Sequence, residues 1–122
     1  MSEDGVGPLR QPPVAGVESL DGAVVVRLAG ELDLYNANEV RDALATAADD
    51  KPQRIVVDLS QVEFIDSTAL GVLIEARTRL ANRRAFLLAA PGLETRRALE
   101  VSGLARNFGI HESVDEAVAA RV

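Results

Sequence analysis

Residues 62–73 read Val-Glu-Phe-Ile-Asp-Ser-Thr-Ala-Leu-Gly-Val-Leu, and this passage from strand to helix decides the fold. Just upstream, Arg54 to Leu59 holds the continuous apolar run Ile55-Val56-Val57, the pattern of a strand buried on both faces. A short loop is expected after Leu59, then a helix from Asp66 or Ser67 to about Asn82. Asp and Ser both suit a helix N-terminus, because a side-chain oxygen there accepts a hydrogen bond from a free backbone N–H. Spacing leaves open which of the two is the cap; if Asp66 takes that part, the Ser67 hydroxyl is free. Ala69, Leu70, Val72, Leu73 and Ile74 are apolar nearly all round, so the helix start is expected to be largely buried. Thr68, Gly71, Glu75, Thr78 and Asn82 instead share one face at three- and four-residue spacings and should meet solvent. Gly71 costs the helix about 1 kcal/mol relative to Ala; either a partner backbone comes close there or the helix packs tightly on the sheet.

Working outward, Asp21-Gly22 is a hairpin signal between a weak strand, Val14 to Leu20, and a Val-rich one, Ala23 to Ala29, which Gly30 is expected to break. Asn36 to about Ala48 places Ala37, Val40, Leu44 and Ala47 on one helical face, with Asn36 and Glu39 at capping-box spacing. Ala85 to Ala90 reads as a third core strand, Leu93 to Ser102 as a short helix stopped by Gly103, and Phe108-Gly109-Ile110 as an edge strand. Ser113 and Glu116 form a second capping box opening a last helix. The order is that of an α/β domain with a four- to five-stranded mixed sheet and about four helices. Right-handed crossovers put successive helices on a common side. Residues 1–12, with Gly5, Gly7, Pro8 and Pro12, read as a disordered lead-in and 13–122 as the domain.

Composition excludes several functions. The net charge is −6, which opposes phosphate-driven nucleic-acid binding, and with 3% aromatic residues there is little on which to stack bases. No cysteine is present, removing disulfides and thiolate chemistry. No apolar stretch approaches the length of a membrane span and no secretory signal opens the chain, so a cytoplasmic location is expected. Ser67 lies outside any Gly-x-Ser-x-Gly elbow, no phosphate-binding loop or metal-ligand spacing occurs, and the single histidine, His111, reads as a surface residue. An enzyme is not expected, nor a cofactor.

Asp66-Ser67-Thr68-Ala69-Leu70-Gly71-Val72-Leu73 resembles the phosphorylation motif of the STAS-type anti-sigma factor antagonists. Gly30-Glu31-Leu32-Asp33 is similar to a second hallmark of that family, and Leu99 to Leu104 followed by Phe108 to its closing helix and turn. The resemblance runs from about Val14 to Ala120 and implies a STAS fold. It also implies that Ser67, with Thr68 as a lesser neighbour, is phosphorylated by an anti-sigma factor that is itself a serine kinase and supplies ATP and magnesium. A serine phosphatase would reset the switch. Asp33 matches an acidic residue near that serine, and Asp66 would shape the loop. With Gly71, Glu75 and Thr78 these residues would form the partner face, Asp33 and Glu75 adding like-charge repulsion to that of a phosphate on Ser67 if the partner's face is also acidic. Ala69 stands where many members have Gly, and Asn38 where Pro is common. A second implication is a STAS docking subunit of a transporter or stress-signalling assembly, without a phosphate cycle.

Overall fold

The computed structural model describes residues 10–122; of the expected lead-in, residues 1–9 lie outside the described part. Among the described residues five strands, β1 (Val14–Leu20), β2 (Ala23–Leu32), β3 (Arg54–Ile65), β4 (Phe86–Ala89) and β5 (Gly109–His111), alternate with four helices, α1 (Ala37–Asp49), α2 (Ser67–Thr78), α3 (Leu93–Val101) and α4 (Val114–Ala119). The sheet order is β1-β2-β3-β4-β5. β1 pairs with β2 antiparallel, and every later pair is parallel. Asp21 and Gly22 both take positive φ, 51° and 83°, as the tight turn between β1 and β2 demands.

Alternation along the strands sorts side chains onto two faces. Val24, Val26 and Leu28 of β2, Ile55, Val57 and Leu59 of β3, and Phe86 and Leu88 of β4 pack with Leu44 of α1, Leu73 of α2 and Leu99 of α3 in one cluster. The three crossover helices therefore share a face, as right-handed connections in a sheet growing one way require. On the other face Val25, Val56, Leu87 and Ala89 meet Ala117 of α4. Arg54 fastens α4 by donating from Nη1 to the carbonyls of Ala117 (2.8 Å) and Ala120 (2.6 Å). Among the described residues no helix is long and apolar enough to cross a membrane.

Several boundaries differ from those expected. β3 runs through the expected loop to Ile65, because it carries two irregularities: Arg27 pairs with Asp58 but Ala29 with Gln61, and Gly30 with Val62 but Glu31 with Phe64. Each extra residue breaks the period-two pattern and turns polar side chains such as Ser60 and Glu63 outward, which reads as loop in sequence. Gly30 does not end β2; it sits within it at φ +75° beside the second irregularity. α2 stops at Thr78, four residues early, and Asn82 instead caps a 3-10 turn, Arg83–Ala85, by accepting from Arg84 N–H. His111 is a half-buried member of β5 rather than a surface residue beyond it. At α4 half of the capping box forms: Ser113 Oγ accepts from Glu116 N–H, while the Glu116 carboxylate accepts from Glu112 N–H.

Two glycine substitutions separate backbone strain from helix propensity. A Cβ at Gly30 keeps a left-handed φ and stands 3.4 Å from the Gln11 side chain, so Gly30→Ala should lower the unfolding free energy by about 1–2 kcal/mol. Gly71 lies in α2, and a Cβ added there would meet nothing within 4 Å; Gly71→Ala should raise the unfolding free energy by up to about 1 kcal/mol. Urea midpoints at constant slope read both.

Candidate functional site

The parallel strands β2 and β3 end side by side, and their C-terminal ends release the segment Asp33–Asn36 and the single residue Asp66. That edge is where open α/β sheets usually carry ligands. Asp66 is extended (φ −97°, ψ 178°) and settles the capping question: its Oδ1 accepts from Ala69 N–H at 2.9 Å. Its Oδ2 reaches across to the other loop and accepts from Leu34 N–H at 3.1 Å, while Asp66 N–H donates to Leu32 O at 3.0 Å. One half-buried carboxylate thus caps α2 and holds the β2–α1 loop against it.

Ser67 is the first residue of α2 and is exposed, as is Thr68. With Asp66 serving Ala69 N–H and Leu70 N–H bonded to Asp66 O, the Ser67 hydroxyl has no hydrogen-bond partner among the described residues. This hydroxyl is open at the mouth of a helix whose first N–H groups point the same way.

The β2–α1 loop is closed from inside by Asn36. Its Oδ1 accepts from Asp33 N–H (2.9 Å) and its Nδ2 donates to Glu31 O (2.8 Å). It therefore cannot cap α1, as its spacing to Glu39 suggested; the side chain is spent on the loop behind it. Asp33 Oδ1 accepts from Tyr35 N–H (3.0 Å), and Oδ2 is paired with Arg10 Nη2 at 2.9 Å. Burial alone would push the Asp33 carboxyl up. The Arg10 hydrogen bond and charge, with the Tyr35 and Asn36 N–H groups, outweigh that and hold it below its ordinary 3.8.

Along α2, Thr68, Gly71 and Thr78 are exposed on one face as expected. Gly71 is in the open, not pressed on the sheet. Thr78 Oγ1 donates to Glu75 O within the same helix (2.6 Å), and Asn82 lies beyond it. Glu75 is not a free charge: Arg41 of α1 sits 3.3 Å away and Arg79, one turn on, 3.5 Å away. Ile74, grouped by sequence with the buried residues, is 36% exposed beside that face.

Sequence reasoning missed the apolar residues around the serine. Leu34 and Tyr35 are 63% and 84% exposed on the loop that Asp66 holds. Phe64, two residues before Asp66, joins Ile65, Ala98 and Val101 in a groove of about 250 Å³ between β3 and α3. The signal was present as an apolar pair, Leu34-Tyr35, in a connection too short to bury it. Among the described residues no group of His, Asp or Glu could hold a metal ion.

Comparison with known proteins gives this geometry a setting. The STAS domain profile matches residues 15–117. The anti-sigma-F factor antagonist RsfB of Mycobacterium tuberculosis is 31% identical over 98 residues, covering 80% of each chain. An anti-sigma F factor antagonist of Paenibacillus polymyxa is 32% identical over 95 residues, 75% of this chain and 80% of the other. The crystal structure of an anti-sigma factor antagonist from Mycobacterium paratuberculosis superposes with a TM-score of 0.78 at 34% identity, over 84% of this chain and 87% of that one.

The two candidate caps are separable by mutation. Asp66→Ala should cost about 0.5–2 kcal/mol of unfolding free energy, whereas Ser67→Ala should stay within about 0.5 kcal/mol of the parent; urea denaturation measures both. The Asp33 carboxyl resists protonation in the folded chain, so its contribution to stability is complete above pH 3.8 and fades as the pH falls through the lowered midpoint. In Arg10→Gln, a carboxyl-detected NMR titration should find the Asp33 midpoint moved back up toward 3.8.

Proposed function

The chain belongs to the STAS-domain family, and from that membership and the open Ser67 hydroxyl we propose that it is an anti-sigma factor antagonist switched by phosphorylation of Ser67. In its unphosphorylated form it binds an anti-sigma factor serine kinase and frees a sigma factor; the kinase, supplying ATP and magnesium, then modifies Ser67 and the complex weakens. A serine phosphatase restores the first state, and the cycle runs in the cytoplasm. The chain itself is a regulatory binding protein, not an enzyme.

The observation that carries this reading is the division of labour between Asp66 and Ser67. A kinase needs a hydroxyl that is exposed and not engaged in holding the fold, and here the neighbouring carboxylate does the capping. Phosphate would add about −1.5 to −2 charges at neutral pH. The helix N-terminus favours that charge, so the domain should stay folded and the effect should fall on the partner. Asp33 and Glu75 can add little repulsion against an acidic partner face, because Asp33 is held by Arg10 and Glu75 by Arg41 and Arg79. The switch therefore acts chiefly by desolvation: a dianion cannot enter a contact built on Leu34, Tyr35, Thr68, Gly71, Ile74 and Thr78 without losing its water.

Titration of the cognate anti-sigma factor with the parent chain, Ser67→Ala and Ser67→Asp tests the proposal. Ser67→Ala should bind within a few-fold of the parent, and Ser67→Asp and the phosphorylated chain at least about tenfold more weakly, a difference of about 1.4 kcal/mol. Incubated with the kinase and ATP, the parent and Thr68→Ala should each take up one phosphate and Ser67→Ala none. Equal affinities for Ser67→Ala and Ser67→Asp would overturn the switch.

A further inference from the structure

Twelve arginines and one lysine stand against nineteen carboxylates in this chain, and the arginines are not evenly matched. Arg10, Arg27, Arg41, Arg79, Arg96 and Arg97 each pair with a carboxylate, and Arg54 holds two carbonyls. The remaining five, Arg77, Arg83, Arg84, Arg106 and Arg121, have no acidic partner among the described residues, and all five line one cavity of about 330 Å³ together with His111. Among the described residues Val122 also lines it, and no Asp or Glu side chain does. It lies at the start of β4 and β5, the end of the sheet opposite the strand ends from which Ser67 emerges.

Within this cavity Arg77 is partly buried. Its guanidinium stands over the Phe108 ring, 5.6 Å from the centroid, and its Nε–H is shut off from solvent with no acceptor among the described residues. A buried donor without a partner costs stability until something supplies an oxygen. Converging five cations in a net-acidic chain likewise costs self-repulsion unless an anion relieves it. Guanidinium forks match the paired oxygens of phosphate better than any other common anion geometry outside carboxylate. Nothing in the lining suits a nucleobase: Leu87 and Phe108 are 3% and 5% exposed, and the one aromatic face is taken by Arg77. The volume is at the small end of ligand sites.

We propose that this cavity is a binding site for a compact polyphosphate, of diphosphate to triphosphate size, recognised through its phosphate charge either as the free inorganic anion or as the phosphate tail of a nucleotide. The site is independent of the Ser67 switch and of the anti-sigma partner.

Calorimetric titration of the full chain with inorganic triphosphate, pyrophosphate and orthophosphate at low ionic strength tests it, with amide NMR shifts to locate the ligand. Affinity should fall in that order and weaken with added salt, and the shifts should centre on Leu87, Asn107, Gly109 and His111. Arg83→Gln with Arg84→Gln, and separately Arg106→Gln, should each weaken triphosphate at least about tenfold, as loss of a phosphate-binding cation requires. Arg79→Gln, outside the cavity, should leave it unchanged, and unfolding midpoints should confirm that each variant is folded. Equal affinity for pyrophosphate and a nucleoside diphosphate assigns the site to the free anion, and tighter nucleoside diphosphate assigns it to the nucleotide; both support the proposal. It is overturned if triphosphate does not bind at millimolar concentration, if the arginine variants bind as the parent does, if the shifts fall around Ser67, or if an acidic peptide saturates the cavity and triphosphate does not.

Discussion

A single carboxylate organises the serine end of the molecule. Asp66 spends one oxygen on Ala69 N–H and the other on Leu34 N–H, and so joins the start of α2 to the loop after β2, which are far apart in sequence. Either bond alone would be ordinary. Together they fix how the exposed Leu34 and Tyr35 stand relative to Ser67. They also release the serine: had Ser67 been the cap, transferring a group to its oxygen would compete with the helix for that same oxygen.

The second constraint is electrostatic. Although the chain is acidic overall, three carboxylates at the serine end are already occupied: Asp33 by Arg10, Glu75 by Arg41 and Arg79, Asp66 by backbone N–H groups. Exposed ion pairs of this kind add little stability, but they remove free charge from the surface and leave apolar and hydroxyl groups to be read. The pairing of Arg10 with Asp33 also means that the segment before β1 belongs to this surface.

The fold was legible where burial imposes a period. Ile55-Val56-Val57, the Asp21-Gly22 turn and the Ala37-Val40-Leu44-Ala47 face each have one geometric solution, and the sheet and its helices follow. Legibility failed where polar side chains serve backbone groups from a distance. Asn36 looked like a helix cap and instead bonds Glu31 and Asp33 on its N-terminal side. β3 looked finished at Leu59 because its two irregularities interrupt the alternation. At the site, the spacing along α2 located Thr68, Gly71 and Thr78, since a helix face is set by its period. It could not show that Glu75 is bridged to Arg41 on another helix, or that Leu34 and Tyr35 are exposed, because both depend on how elements pack.

The pairing that quiets one end of the sheet leaves the other unbalanced. Carboxylates absorb the arginines on α1, on α3 and before β1, while those at the start of β4 and β5 and near Arg121 face one another across a cavity. A small anion arriving from solution therefore meets an acidic body with a basic recess, and fields of this kind orient an encounter before any contact forms. At the serine end Asp33 and Glu75 are held in ion pairs, and the exposed Leu34 and Tyr35 beside them can be met only at short range, by shape and desolvation.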